Sequence, residues 1–184
     1  MRHFNISFLM FIIYSGLAFP LNSVFVKANP ANYIGRLEVQ TNRGKFVDSC
    51  NRYAGVALGS AWCCSFQSFA NKELKKHGNC YKFAQLNKGV NATTANIAKI
   101  RKGDLIVWNR PNRTGHIASI YARSLTNKHQ VLTIEGNTSA DDSSPDGRLN
   151  KGKQGVFVKV RYLNKPLMTG MPLKYIIHKE LKKD

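Results

Sequence analysis

The sequence predicts an α+β fold in which N-terminal helices pack on an antiparallel sheet of at least four strands. Apolar residues recur at helical spacing up to about residue 76, and they form strand-like segments after residue 103. The links between the later segments are short, as is usual between antiparallel neighbours. Residues 29–184 are enough for one domain, whereas two domains of half that length would each be marginal.

Residues 1–28 have the pattern of a secretory signal peptide. Arg2 precedes an apolar run from Ile6 to Phe19, and Val26-Lys27-Ala28 places small residues at the two positions that signal peptidase recognises. The run is short for a membrane span, which needs about 20 apolar residues. We therefore expect cleavage after Ala28, no stable membrane anchor, and a secreted or periplasmic protein; an uncleaved anchor is the alternative.

The chain is strongly basic, with 28 Lys and Arg against 10 Asp and Glu and a formal net charge of +18. Without Arg2 and Lys27 the net charge is +16. Such a charge favours anionic polymers as partners. The basic residues are scattered and lack the aromatic-basic motifs of common nucleic-acid-binding modules. With an export signal present, a cell-envelope polymer is the expected partner and nucleic acid the alternative.

Two helices are predicted ahead of the sheet. The first covers residues 39–54 and is followed by the glycine-rich stretch GVALGSA. The second covers residues 62–76, and Gly78 lies just past its end. Apolar side chains recur on one of its faces, namely Trp62, Phe66, Phe69, Ala70 and Leu74. Residues 79–99 are interpreted as a connector in which NATTANIAKI holds at most a short helix.

Four strands are predicted from segments rich in Val, Ile, Leu, Phe and Tyr that are bounded by Gly, Asn and Pro. They cover residues 104–109, 116–122, 130–136 and 155–163. The polar segment 137–154 is interpreted as a long loop, a feature that usually indicates function or disorder.

The stretch GSAWCCSF contains the candidate nucleophiles, Cys63 and Cys64. A thiol attacks an acyl carbon only as the thiolate, so its pKa must be lowered by its surroundings. Both cysteines fall in the first turn of the second predicted helix, where the helix dipole favours an anion. A nearby imidazole is the second means of lowering the pKa.

His116 is the candidate base, because it follows Gly115 and opens a strand from which its side chain can reach a cleft. The other histidines lie in the leader, at a helix end or in polar surroundings. A base held in one tautomer needs a third group on its other nitrogen. Glu135 and Asn137 are two residues apart at the end of the next strand and are expected to share a face, so either is a candidate.

The segments GSAWCCSFQSFANKE, KGDLIVWNRPNRTGHIASIYA and LTIEGNTS together resemble a CHAP domain, the cysteine- and histidine-dependent amidohydrolase/peptidase family. The resemblance covers about residues 40–163 and implies a papain-like fold for the single catalytic domain of residues 29–184. It implies hydrolysis of amide bonds in peptidoglycan, with Cys63, His116, Glu135 and Asn137 as catalytic residues. Cys63 is selected because the family's nucleophile directly follows the tryptophan, here Trp62.

Helix geometry supports this choice in part, since Cys63 lines up with the buried seam and Cys64 with a more polar face. An exported protein with four cysteines invites two disulfides, but a working nucleophile stays reduced. At most one bridge is then expected, either Cys50–Cys80 or Cys64–Cys80.

We expect no cofactor and no metal, because neither the CC pair nor any histidine pair has zinc-ligand spacing. The expected protein is a monomeric secreted amidase or endopeptidase. The alternatives are a catalytically inactive basic envelope-binding protein and a secreted toxin or effector hydrolase of the same fold. The bond cleaved within peptidoglycan stays open.

Overall fold

The computed structural model describes residues 29–112, 114–139, 153–167 and 170–179. The predicted signal peptide, residues 1–28, lies outside the described residues. The described part has an α+β architecture, as predicted, with four α-helices and one six-stranded antiparallel sheet. No described helix is both long enough and apolar enough to cross a membrane.

The helices begin with a short 3-10 helix, Pro30–Tyr33. The α-helices are α1 Lys45–Ala54, α2 Cys63–Ala70, α3 Cys80–Leu86 and α4 Thr94–Ala98. The strands are β1 Val90–Asn91, β2 Leu105–Asn109, β3 Gly115–Arg123, β4 Gln130–Ser139, β5 Gln154–Tyr162 and β6 Leu173–Ile177. Their order across the sheet is β1-β6-β2-β3-β4-β5, and every neighbouring pair is antiparallel.

Both predicted long helices are shorter in the structure. The first begins at Lys45 rather than residue 39, because Gly44 has a φ of 129° that no helix contains. The second ends at Ala70 rather than residue 76. There the Asn71 side chain donates to the carbonyl oxygen of Gln67 at 2.8 Å, a local bond that competes with continuation of the helix.

The interpretation of residues 79–99 as a connector is wrong in large part. This segment contains α3, β1 and α4. Each helix has a side-chain cap: Asn79 accepts from the N–H of Lys82, and Thr93 accepts from that of Asn96. The short helix considered within NATTANIAKI is present as α4.

The four predicted strands match β2, β3, β4 and β5 to within a few residues. β4 extends further than predicted, to Ser139, so the start of the predicted loop 137–154 is strand, while residues 140–152 lie outside the described part. β6 was not predicted, although it pairs with β2 near the centre of the sheet.

The core fills both faces of the sheet. On the helix-covered face, α2 and α3 pack with Leu105, Val107 and Ile117. On the opposite face, Ile106 and Trp108 form a second cluster with side chains from connecting segments. This alternation follows from the period of two in a strand.

Candidate active site

Cys63 is the first residue of α2. The first N–H groups of an α-helix have no intrahelical acceptor, and the preceding residue, Trp62, makes no side-chain cap to them. Trp62 and Phe66 are completely buried in a cluster with Ile134 of β4 and fix the start of the helix against the sheet. The thiol itself is nearly buried, with Cys63 7% exposed.

His116 lies at the beginning of β3, opposite Trp108 of β2. Its imidazole is tilted 33° against the indole, with 6.1 Å between the ring centres. Within the described residues, the pairing of β3 with β4 runs from Arg123↔Val131 to Ser119↔Ile134. The start of α2 lies next to the start of β3, where the Cys63 Sγ is 3.9 Å from the carbonyl oxygen of Gly115.

Gln67 of α2 joins β3 and β4 at the last of these pairs, Ser119↔Ile134. Its Nε2 donates to the carbonyl of Ile134 at 2.9 Å, and its Oε1 accepts from the Ser119 hydroxyl at 2.6 Å. Phe66 lies directly over Gly136, where an added Cβ would come within 2.7 Å of the ring. The glycine of the EGN motif therefore permits close packing of α2 on β4.

Glu135 lies next to His116, and the imidazole Nε2 donates to its Oε2 at 2.9 Å. The carboxylate is completely buried and is bound by two further side chains. Arg161 of β5 donates from Nε to Oε1 and from Nη2 to Oε2, both at 2.7 Å. The hydroxyl of Thr133 donates to Oε1 at 2.6 Å. Each carboxylate oxygen thus accepts two hydrogen bonds.

Arg161 and Thr133 were missed by the sequence analysis. A weak signal existed, because a carboxylate predicted to be buried needs a compensating charge. Arg161 is one of two basic residues, with Lys159, in the largely apolar segment GVFVKVRYL of the neighbouring strand. The strand register pairs Arg161 with Val131 and Glu135 with Phe157, so only the side-chain contacts in the structure identify Arg161 as the partner.

The charges in this cluster are strongly coupled. Burial raises the pKa of Glu135, but hydrogen bonds and charge interactions with His116 and Arg161 outweigh burial and hold it well below its usual range. Burial lowers the pKa of His116, but its contacts with Cys63 and Glu135 prevail and raise it to about 10. The resting state is therefore an imidazolium–carboxylate pair.

The Cys63 Sγ lies 3.9 Å from the carbonyl oxygen of Gly115, the residue directly before His116, and the imidazole favours the thiolate by lowering the pKa of Cys63. Because Nε2 of the imidazole is bound to Glu135, Nδ1 is the nitrogen left for the thiol. A second thiol, Cys80 at the start of α3, lies with its Sγ 3.8 Å from Sγ of Cys63. The hydrogen bond to Cys80, followed by burial, raises the pKa of Cys63 well above its ordinary value, while His116 acts in the opposite direction.

Asn137 does not share the position of Glu135. The β4–β5 register shifts between Glu135 and Thr138, so a bulge interrupts the alternation that predicted one common face. Asn137 has a φ of 57°, and its Oδ1 is buried without a hydrogen-bond partner in the described part of the chain. The structure thus places Glu135 on the imidazole.

The other cysteines also differ from expectation. Cys64 is completely buried, and its thiol donates to the carbonyl of His77 at 3.1 Å, so the predicted polar face is wrong. All four cysteines are free thiols. Cys50 packs in a different cluster from Cys80, so the predicted alternative bridge between them does not form in this structure.

A second histidine–carboxylate pair lies elsewhere. His178 Nδ1 is 2.8 Å from Oδ2 of Asp104. The same carboxylate accepts from the backbone N–H groups of Arg101 and Lys179, so it joins the end of β6 to the turn before β2. Among the described residues no group of three or more His, Cys, Asp or Glu has the arrangement of a metal site.

Comparison with known proteins leaves the family open. No protein-family model matches the chain, and no curated protein matches it significantly.

Proposed function

We propose that the protein is a cysteine amidase or endopeptidase that hydrolyses amide bonds in peptidoglycan. The observation that carries the proposal is one arrangement: Cys63 is the first residue of a helix with its Sγ 3.9 Å from the carbonyl oxygen next to His116, and His116 is bound to the buried carboxylate of Glu135. Thiol, imidazole and an acceptor that orients the imidazole are the three groups of a cysteine hydrolase.

The first half of the proposed reaction forms an acyl-enzyme. The thiol of Cys63 transfers its proton to neutral His116, and the sulfur attacks the carbonyl carbon of the amide. The oxyanion of the tetrahedral intermediate accepts hydrogen bonds from N–H groups at the start of α2, where no side chain caps the helix. His116 then protonates the leaving amine. In the second half, His116 removes a proton from water, which attacks the thioester and regenerates the thiol.

The protonation states determine when this reaction starts. In the resting state the thiol is neutral and His116 is protonated, because both groups have a raised pKa. An imidazolium cannot accept the thiol proton, so the reactive form of the pair has one proton fewer than the resting form. Activity should therefore rise with pH above the ordinary histidine range.

The substrate class rests on the resemblance to CHAP domains and on charge. A mature net charge of +16 favours binding to anionic wall polymers. Binding to isolated cell walls should weaken as salt screens the charges. A salt series measures this directly, and an affinity that does not change with ionic strength contradicts an electrostatic contribution.

The decisive experiment incubates purified sacculi with three proteins: wild type, Cys63→Ala and Cys50→Ala. Cys50 is a buried thiol of a separate cluster and serves as the matched control. Mass analysis of released fragments should show new amine and carboxyl ends with wild type and Cys50→Ala. Cys63→Ala should lose activity by several orders of magnitude. If wild type binds sacculi and releases nothing, the protein is a binding protein instead.

A further inference from the structure

We propose that Arg161 is a positioning residue, which fixes the carboxylate of Glu135 in the orientation that His116 requires. This inference rests on the proposed function, since it assigns a role within the same site. The inference starts from the number of hydrogen bonds that the carboxylate of Glu135 accepts. The guanidinium of Arg161 donates one hydrogen bond to each of its two oxygens, both at 2.7 Å.

The hydrogen bonds of the carboxylate show why Oε2, and not Oε1, binds the imidazole of His116. Oε1 is filled by Arg161 Nε and by the hydroxyl of Thr133, while Oε2 is shared by Arg161 Nη2 and His116 Nε2. A carboxylate that accepts in all four directions cannot rotate without breaking at least one bond. A planar guanidinium makes this two-point contact and an ammonium does not.

The cation also compensates the charge of a fully buried carboxylate. The ionisable groups in and next to this site come from five elements. They are Cys63 and Cys64 on α2, Cys80 on α3, His116 on β3, Glu135 on β4, and Arg161 with Lys159 on β5. Loss of one positive charge makes proton release harder for every acid in this cluster.

The test compares Arg161→Gln, Arg161→Lys and the control Arg52→Gln, in which an exposed arginine of α1 undergoes the same charge change. The rate of Cys63 alkylation by iodoacetamide is followed against pH, with labelled peptides identified by mass spectrometry. Arg161→Gln should shift the midpoint to higher pH by about one unit or more. Arg161→Lys should restore the midpoint, and Arg52→Gln should leave it unchanged.

The rate of sacculus hydrolysis distinguishes the two effects of Arg161, namely the orientation of the Glu135 carboxylate and the positive charge. Arg161→Lys should lower kcat by about 10²-fold at unchanged KM, since it keeps the charge but loses the two-point contact. A wild-type midpoint in a folded Arg161→Gln protein, or wild-type kcat in Arg161→Lys, overturns the proposal. The alkylation profile needs no peptidoglycan. A shifted midpoint in a protein that does not cleave sacculi would therefore reject the proposed function and retain only the electrostatic influence of Arg161 on the Cys63 thiol.

A separate observation carries a second inference: we infer that Cys63 and Cys80 form a reversible disulfide that switches the nucleophile off. Their Sγ atoms are 3.8 Å apart, and each cysteine is the first residue of its helix. Only a small approach of the starts of α2 and α3 separates this contact from a bond. Export, as residues 1–28 predict, exposes the pair to oxidising surroundings.

The oxidation is a thiol–disulfide exchange with a small-molecule disulfide. The Cys63 thiolate attacks one sulfur of the reagent and expels one thiolate, which forms a mixed disulfide. The Cys80 thiolate then attacks the Cys63 sulfur and expels the second thiolate. The two protein thiols lose two protons and two electrons, and the reagent is reduced to two thiols.

Oxidised glutathione tests this inference on wild type, Cys80→Ala and Cys64→Ala. Wild type and Cys64→Ala should lose alkylation of Cys63, gain a Cys63–Cys80 cross-linked peptide, and recover with dithiothreitol. Cys80→Ala should stop at the mixed disulfide with glutathione. A Cys64–Cys80 cross-link that leaves Cys63 reactive, or no cross-link at all, contradicts the inference. None of these outcomes depends on the substrate.

Discussion

The Nε2 atom of His116 lies 2.9 Å from Oε2 of Glu135, although the two residues are 19 positions apart in the sequence. This contact occupies Nε2 of the imidazole, so Nδ1 is the nitrogen available to take a proton in the proposed reaction. It also pairs an imidazolium with a carboxylate inside the protein, where charges interact more strongly than in water. Stability and reactivity of the site therefore depend on the same few bonds.

Replacing Glu135 by Gln should abolish hydrolysis and destabilise the fold. The substitution leaves Arg161 and protonated His116 without their buried counter-charge, which costs about 3–5 kcal/mol. Denaturant unfolding measures the loss. The matched control is Glu73→Gln, which removes an exposed ion pair with Lys179 and should cost less than about 1 kcal/mol.

The pH dependence of this loss has a definite sign. The pKa of Glu135 is lowered in the folded protein, so its stabilisation is fully present above the unfolded pKa of about 4.3. It is lost as the pH falls through the folded pKa. The stability difference between wild type and Glu135→Gln should therefore shrink on acidification. A difference that grows below pH 4 contradicts this assignment.

Replacing Asn137 by Gly should preserve activity. Asn137 occupies a bulge with a φ of 57°, a conformation that glycine adopts without strain. Asn137→Ala should instead cost about 1 kcal/mol through backbone strain. Thermal melts and kcat measure both variants. A loss of kcat by orders of magnitude in a stable Asn137→Gly protein would mean that the amide acts on His116 after all.

Replacing Gly136 by Ala should destabilise the contact of α2 with β4. The added methyl group would lie within 2.7–2.8 Å of three Phe66 side-chain atoms, an overlap that costs about 1–3 kcal/mol. The double variant Gly136→Ala, Phe66→Leu provides the control, because the smaller side chain relieves the clash. Unfolding free energies should then be non-additive by about 1 kcal/mol. Additive energies would show that the backbone absorbs the methyl group elsewhere.

Replacing Cys80 by Ala should make Cys63 reactive at lower pH. The hydrogen bond to Cys80 is the main cause of the raised pKa of Cys63, so its removal favours the thiolate. The midpoint of Cys63 alkylation should move to lower pH, and the rate at neutral pH should rise. Cys50→Ala, from the separate cluster, should show the wild-type profile. An unchanged midpoint in Cys80→Ala would assign the raised pKa to burial instead.

The strands and the order of the candidate site residues could be predicted from the sequence because both are local properties. A period of two and flanking Gly, Asn and Pro identified the four strands β2 to β5. The positions where the helices begin and end were harder to predict. α1 and α2 are shorter than their apolar patterns, since the backbone at Gly44 and a side-chain bond from Asn71 end helices that periodicity alone would continue.

The alternation argument could not separate Glu135 from Asn137. It assumes a regular strand, and the bulge after Glu135 is a property of the β4–β5 pairing that neither segment shows by itself. Helical periodicity likewise placed Cys64 on a polar face. That face is covered, because the chain returns through His77 and brings a carbonyl to the thiol.

The sequence by itself determined the class of fold and the order along the chain of a thiol at the start of a helix, an imidazole at the start of a strand and a carboxylate near the end of the next strand. Those features depend on residue type and spacing within short segments. Only the tertiary structure decided that Arg161 binds Glu135 and that Cys80 lies against Cys63. Strand pairing and helix packing bring together residues that are distant in the chain. Hydrogen bonds and contacts between such residues depend on that packing and leave no pattern in either short segment.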